Sequence, residues 1–173
     1  MKVIVNDANI LIDLVKLRML QEFFSLEHTF YTSDLILEEL HHNQQQELKP
    51  YIKDGKLKVV SFDINELLMI GEIQSEKPQL SHQDCSAIVC ALKVNGELLT
   101  SDNTLRKYAA SRNMPVIGHL WVFDQMVEYG FITGLEAIDK LNLLRDEINP
   151  RLGLPHGECE ARIMKWKKQN YLD

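Results

Sequence analysis

The run Lys2-Val3-Ile4-Val5-Asn6 is apolar and short, and at Ala8-Asn9-Ile10-Leu11-Ile12 the chain turns to helical spacing. A short buried strand feeding a helix is the reading this switch supports. It recurs along the sequence. Strands are expected at 3–6, 30–32, 58–62, 98–100 and 116–117, with helices to about residue 17 and at 20–26, 34–43, 64–75, 82–94 and 105–111. Such an alternation specifies a parallel sheet covered by helices on both faces. The fold class is therefore α/β, a three-layer α/β/α arrangement around a mainly parallel central sheet. Helix starts carry reciprocal caps at Asp63 with Glu66, Ser81 with Asp84 and Thr133 with Glu136. From residue 119 onward the pattern is helical, with a break at Gly130 and looser stretches at Asn149-Pro150 and Leu154-Pro155.

With 173 residues the chain fits one domain and can bury roughly 70% of its unfolded surface. No apolar run approaches the ~20 residues that span a bilayer. Asn6, Asp7 and Asp13 interrupt the N-terminal hydrophobes, against a signal peptide, so a cytoplasmic protein is expected. Cys85, Cys90 and Cys159 form no CxxC pair and leave one over, which favours buried reduced thiols over a disulfide framework. A formal net charge of −6 argues against coating nucleic acid by bulk electrostatics. It does not exclude a nuclease, because a bound cation offsets acids that count as negative in the sequence.

Four carboxylates stand where apolar segments meet helices. Asp7 follows the first strand and Asp102 follows Leu98-Leu99-Thr100-Ser101, placing both at the carboxyl ends of strands, where open α/β sheets bind ligands. On a continuous helix at ~100° per residue, Glu39 falls beside the sector of Leu35, Ile36, Leu37 and Leu40 while Glu38 points away. Asp84 lies on an almost wholly apolar helix, opposite its one polar stripe of Ser86 and Lys93. Each acid also has a purely structural reading: Asp84 as a capping-box partner, Asp102 as an N-cap, Glu39 as a residue at the border of the core. As a set they would repel one another and raise at least one pKa, a cost that a divalent cation removes. Carboxylate oxygens suit Mg²⁺ or Mn²⁺, and the spacing of His and Cys does not suit zinc.

The order of these segments resembles a PIN domain, the fold of many metal-dependent ribonucleases, including the VapC-like toxins of toxin–antitoxin pairs. Val5-Asn6-Asp7-Ala8-Asn9-Ile10-Leu11-Ile12-Asp13-Leu14 is similar to the opening motif, and Ile36-Leu37-Glu38-Glu39-Leu40 to the segment that brings the glutamate. Ser81-His82-Gln83-Asp84-Cys85-Ser86-Ala87-Ile88 resembles the third element and Leu98-Leu99-Thr100-Ser101-Asp102-Asn103-Thr104-Leu105 the fourth. The resemblance covers about residues 1–118. It implies a catalytic core over 1–118. The segment 119–173 lies beyond the shared motifs, and its amphipathic helices through Trp121, Val122, Met126 and then Leu135, Ile138, Leu141 and Leu144 are expected to form a helical extension packed on the same domain. It also implies that Asp7, Glu39, Asp84 and Asp102 are at once the metal ligands and the catalytic residues, holding one or two Mg²⁺ or Mn²⁺ ions for hydrolysis of RNA. Asn103 stands where some members carry another acid, so one metal is the expectation. Asn9 and Ser101 are candidates for supporting or substrate-facing roles. The implied partners are an RNA substrate, a small antitoxin if the chain is a toxin rather than a stand-alone relative, and a second copy in a homodimer; no membrane association is implied.

Two other functions compete. A non-catalytic PIN-like module binding RNA or protein would keep the fold but bind metal poorly. An aspartyl-nucleophile phosphatase also places an acid after its first strand, yet here Asn9 occupies the place of its second acid. Near the C-terminus, Arg162-Ile163-Met164-Lys165-Trp166-Lys167-Lys168 mixes cations with an aromatic in a way that suits phosphate and base contacts, or an ordinary solvated helix. His156-Gly157-Glu158-Cys159 has metal-capable side chains at a spacing that matches no zinc motif.

Overall fold

A computed structural model describes residues 1–169, so the last four residues of the segment 119–173 lie outside the described residues. The elements in order are β1 (Val3–Asn6), α1 (Ala8–Leu17), α2 (Leu20–Phe23), β2 (Thr29–Ser33), α3 (Asp34–Leu37), α4 (His42–Lys53), β3 (Leu57–Val60), α5 (Ile64–Glu76), α6 (His82–Val94), β4 (Glu97–Leu99), α7 (Asn103–Ser111), β5 (Val116–Ile117), α8 (His119–Glu128), α9 (Gly134–Leu143), a π-turn (Leu144–Ile148) and α10 (His156–Gln169). They form two compact units: one of Met1–Ile12 with Glu27–Ile117, the other of Asp13–Leu26 with the chain from Gly118 onward.

The first unit holds a five-stranded sheet in the order β3-β2-β1-β4-β5, with every pairing parallel, flanked by helices. Ile4 and Val5, on opposite faces of β1, are both fully buried, as a strand covered on both sides requires. Successive strands step outward from β1 through β2 to β3, and on the other side from β4 to β5. The order therefore reverses between β1 and β4, and the crevice at the carboxyl ends of those two strands is where such sheets take ligands. The approach of β4 to β1 depends on a tight connection. Asn95 closes α6 in the left-handed region, and at Gly96 a Cβ would meet the Val3 carbonyl oxygen at 3.2 Å.

The expected helix over 34–43 is broken in two. α3 ends at Leu37, and Glu39 and Leu40 sit in a turn closed by Glu39 N–H to Ile36 O (3.1 Å) and Leu40 N–H to Leu37 O (3.2 Å). His41 is extended and opens α4. The Gln45 side-chain amide donates to both Leu37 O and Leu40 O, taking up carbonyls that a continuing helix would have used. Glu39 is thus exposed on a turn rather than inward-facing on a helix. α4 was not legible, since it buries little beyond Gln44 and Leu48 and contains Pro50. Strand β3 ends at Val60, two residues short of the expected 62, and Asp63 then caps α5.

In the second unit Asp13 and His119 are buried together. His119 Nε2 lies 3.1 Å from Asp13 Oδ2, an ion-pair distance without hydrogen-bond alignment, and Asn149 Nδ2 donates to the same oxygen at 3.0 Å. Trp166, one half of the suspected base-contacting stretch, is fully buried. Its ring packs 6.1 Å from that of Phe123 and its Nε1–H points to Asp124. Arg162 pairs with Asp124 and Glu158, so the stretch supplies packing and ion pairs rather than a stacking platform. Cys159 is buried, while His156 is exposed beside Arg145 and Glu160.

Candidate active site

Apart from Gln44, the buried polar residues of the first unit are Asn6, Asp7, Thr32, Ser33, Ser86 and Thr100. Asn6, Thr32 and Ser33 come from the carboxyl ends of β1 and β2, while Asp7 and Thr100 directly follow β1 and β4. Asp7 N–H donates to Leu99 O at 3.1 Å, which carries the β1–β4 pairing one residue further and fixes the acid at the edge of the sheet. Its Oδ1 accepts from Ala8 N–H (2.7 Å) and its Oδ2 from the Thr100 hydroxyl (2.8 Å). That hydroxyl also accepts from Asp102 N–H at 3.1 Å, so one threonine joins the first and fourth acids. The sequence reading favoured Ser101 and passed over Thr100. The usable signal was its place at the end of a buried strand, one residue before the turn. Asn9 is exposed on the first turn of α1.

Asp102 caps α7 through Oδ1 and Leu105 N–H (2.7 Å). Asp84 and Ser81 form a reciprocal box at the start of α6: Ser81 N–H donates to Asp84 Oδ2 (2.7 Å) and Asp84 N–H to Ser81 Oγ (3.0 Å). Both structural readings of these acids are therefore correct, and each uses one carboxylate oxygen. Arg106, one turn along α7 from Asp102, donates Nη1–H to Thr100 O at 2.8 Å, which places a guanidinium beside the cluster.

Electrostatics ties the acids together. Burial, with Asp84 and Glu39 adding repulsion, pushes the Asp7 carboxyl up to about 7 against the pull of its hydrogen bonds from Thr100 and Ala8. Glu39 is raised by desolvation and then by Asp84. Asp84 is raised by burial first and by Asp102 as well, while its bonds to Ser81 hold it down. Asp7, Glu39 and Asp84 thus each feel at least one other acid across unconnected segments. Burial pushes the thiols of Cys85 and Cys90 up to about 11 and 12, so neither is a ready nucleophile.

Among the described residues, no three His, Cys, Asp or Glu side chains stand close enough to form a ready-made metal cage. The donor chemistry still fits a hard divalent cation. The segments offer carboxylate oxygens, and the two hydrogen bonds to a fully buried Asp7 only partly offset the cost that burial, Asp84 and Glu39 place on its charge.

A sequence model of the PIN domain matches residues 3–154, and the chain belongs to that family. Its fold is accordingly of the nuclease type. No curated protein matches the chain.

Proposed function

We propose that the protein is a Mg²⁺- or Mn²⁺-dependent endoribonuclease whose metal ligands and catalytic groups are Asp7, Glu39, Asp84 and Asp102. The observation that carries this reading is the Asp7 carboxyl, buried at the strand-order reversal and driven up to about 7 by burial and two other acids. A stable fold has little use for such a group unless a counter-charge arrives. When bound, the cation supplies that charge and activates water for attack on a phosphodiester. Asp7 is oriented by Thr100 and Ala8. Asp84 and Asp102 are anchored by one oxygen each to their helix starts, leaving the second oxygen of each for ligation. Glu39, exposed on its turn, is the ligand most open to solvent. Arg106 suits contact with a substrate phosphate. The preference for RNA rests on the resemblance to PIN ribonucleases.

Ile64, Leu67, Leu68 and Met69 are exposed on α5, an apolar face that suits a protein partner such as an antitoxin or a second copy. Three unbridged, buried cysteines suit the reducing cytoplasm. No described helix is long and apolar enough to cross a membrane. That no three such ligands stand close together among the described residues keeps, as a second reading, a PIN module that binds RNA or protein without cutting.

The test is cleavage of end-labelled single-stranded RNA by wild type and Asp7→Asn with Mn²⁺, Mg²⁺ or EDTA. Cutting that needs both metal and Asp7, with a loss of ~10³-fold or more in the variant, is the expected result. Equal cutting by the variant would refute the site. No cutting by a folded wild type that also fails to bind Mn²⁺ would favour the non-catalytic module.

A further inference from the structure

Glu39 and Asp84 come from segments 45 positions apart in a 173-residue chain and repel one another, yet an unbroken line of hydrogen bonds joins their backbones. Glu39 N–H donates to Ile36 O (3.1 Å). Ile36 N–H donates to Ser33 Oγ (3.1 Å), the N-cap of α3. Ser33 Oγ lies 3.0 Å from Ser86 Oγ, and Ser86 Oγ–H donates to Gln83 O at 2.8 Å, in the residue immediately before Asp84. A carbonyl only accepts, so the Ser86 proton is committed to Gln83, and Ser33 must be the donor between the two hydroxyls. Every proton in the chain then has one consistent place. Both serines are fully buried, so water cannot substitute for either partner at the surface. At the far end, Asp84 is itself locked to α6 through Ser81.

We infer that the Ser33–Ser86 hydroxyl pair is a strut that holds Glu39 and Asp84 at a fixed separation, making these serines positioning residues that set the size of cation the acids accept. The part concerning cations rests on the metal-dependent reading proposed above; the strut itself does not. Neither serine reaches the reacting groups. They act by holding the turn that carries Glu39 against the first turn of α6.

The deciding experiment compares unfolding midpoints in EDTA for wild type, Ser86→Ala, Glu39→Gln and the double variant. Alanine is the better helix former, so Ser86→Ala keeps α6; Ser86→Cys, which keeps the side chain's shape and a weak donor, serves if it does not fold. In wild type, losing the strut lets the two acids part, and the relief of repulsion offsets some of the loss. With Glu39 neutral there is nothing to relieve. The fall in midpoint caused by Ser86→Ala should therefore be larger in the Glu39→Gln background, by about 2 °C or more. Additive shifts overturn the strut, whatever the protein does with metal. Calorimetry supplies the second readout. Ser86→Ala should weaken Mn²⁺ binding ~10-fold and weaken Mg²⁺ more than Ca²⁺, because Mg²⁺ demands stricter geometry. An unchanged Mg²⁺-to-Ca²⁺ preference overturns the role in cation choice. Non-additive midpoints in a protein that binds no divalent cation would uphold the strut and refute the metal-dependent nuclease.

Discussion

Asp7 and Asp13 lie six positions apart, and each is 1% exposed, yet the chain treats them in opposite ways. Asp13, in the second unit, meets His119 and the Asn149 amide, groups able to donate to a carboxylate. Asp7, in the first, has a hydroxyl and one backbone N–H, and beyond them two further acids that raise it. A buried carboxylate given donors locks a fold together. One whose donors are joined by further carboxylates that raise it is held ready for something that the fold does not supply, and this is why Asp7 is read as functional and Asp13 as structural.

The contrast is most open to attack by substitution. Asp13→Ala leaves buried His119 and half-buried Asn149 beside a void, and should cost about 2–5 kcal/mol of stability. Asp7→Asn removes a charge that the metal-free fold disfavours, and should raise stability at pH 8 by roughly 1–3 kcal/mol while abolishing cleavage. Chemical denaturation of both variants in EDTA checks the pair. If the two substitutions moved stability in the same direction, the distinction would fail.

The pH dependence follows from the same difference. Asp7 is raised from 3.8 to about 7 in the fold, so between those values the folded chain binds more protons than the unfolded one. Stability contributed by the protonated carboxyl is fully present below about pH 4 and is lost as pH rises through about 7. At ~1.4 kcal/mol per pKa unit the fall amounts to about 4 kcal/mol at most. Denaturation curves in EDTA across pH 4–8 should show this decline in wild type and a flatter profile in Asp7→Asn. Saturating Mn²⁺ should also flatten it, since the cation binds the ionised form.

A smaller effect is expected at Thr100. Thr100→Val keeps the shape but removes the donor to Asp7 and the acceptor for Asp102 N–H. It should cost about 1–3 kcal/mol and weaken Mn²⁺ binding ~10-fold or more. Calorimetry beside denaturation measures both, and a loss of stability with unchanged Mn²⁺ affinity would reduce Thr100 to a structural role.

The strand–helix alternation made the sheet legible, because β1, buried on both faces, reads as a short apolar run, and the three capping boxes marked helix starts that the structure keeps. The turn at Glu39 was hidden because the stop signal is remote: it lies in the side chain of Gln45, eight residues from the Leu37 carbonyl it satisfies. Thr100, Ser33 and Ser86 were equally hard to find. A serine in a sequence looks like a polar surface residue, and only burial at the sheet edge reveals that its hydroxyl is committed. At Trp166 the neighbouring lysines left a binding surface and an ordinary helix both open, and the ring belongs to the core.

The most direct test of the central claim is the proton count on Mn²⁺ binding at pH 7, measured by calorimetry in buffers of different ionisation enthalpy. With Asp7 pushed up to about 7, wild type should release roughly half a proton from this group as the metal binds, and Asp7→Asn should lose that release along with most of its affinity. Mn²⁺ binding with the same proton count and affinity in both proteins, or no binding by the wild type, would contradict the account.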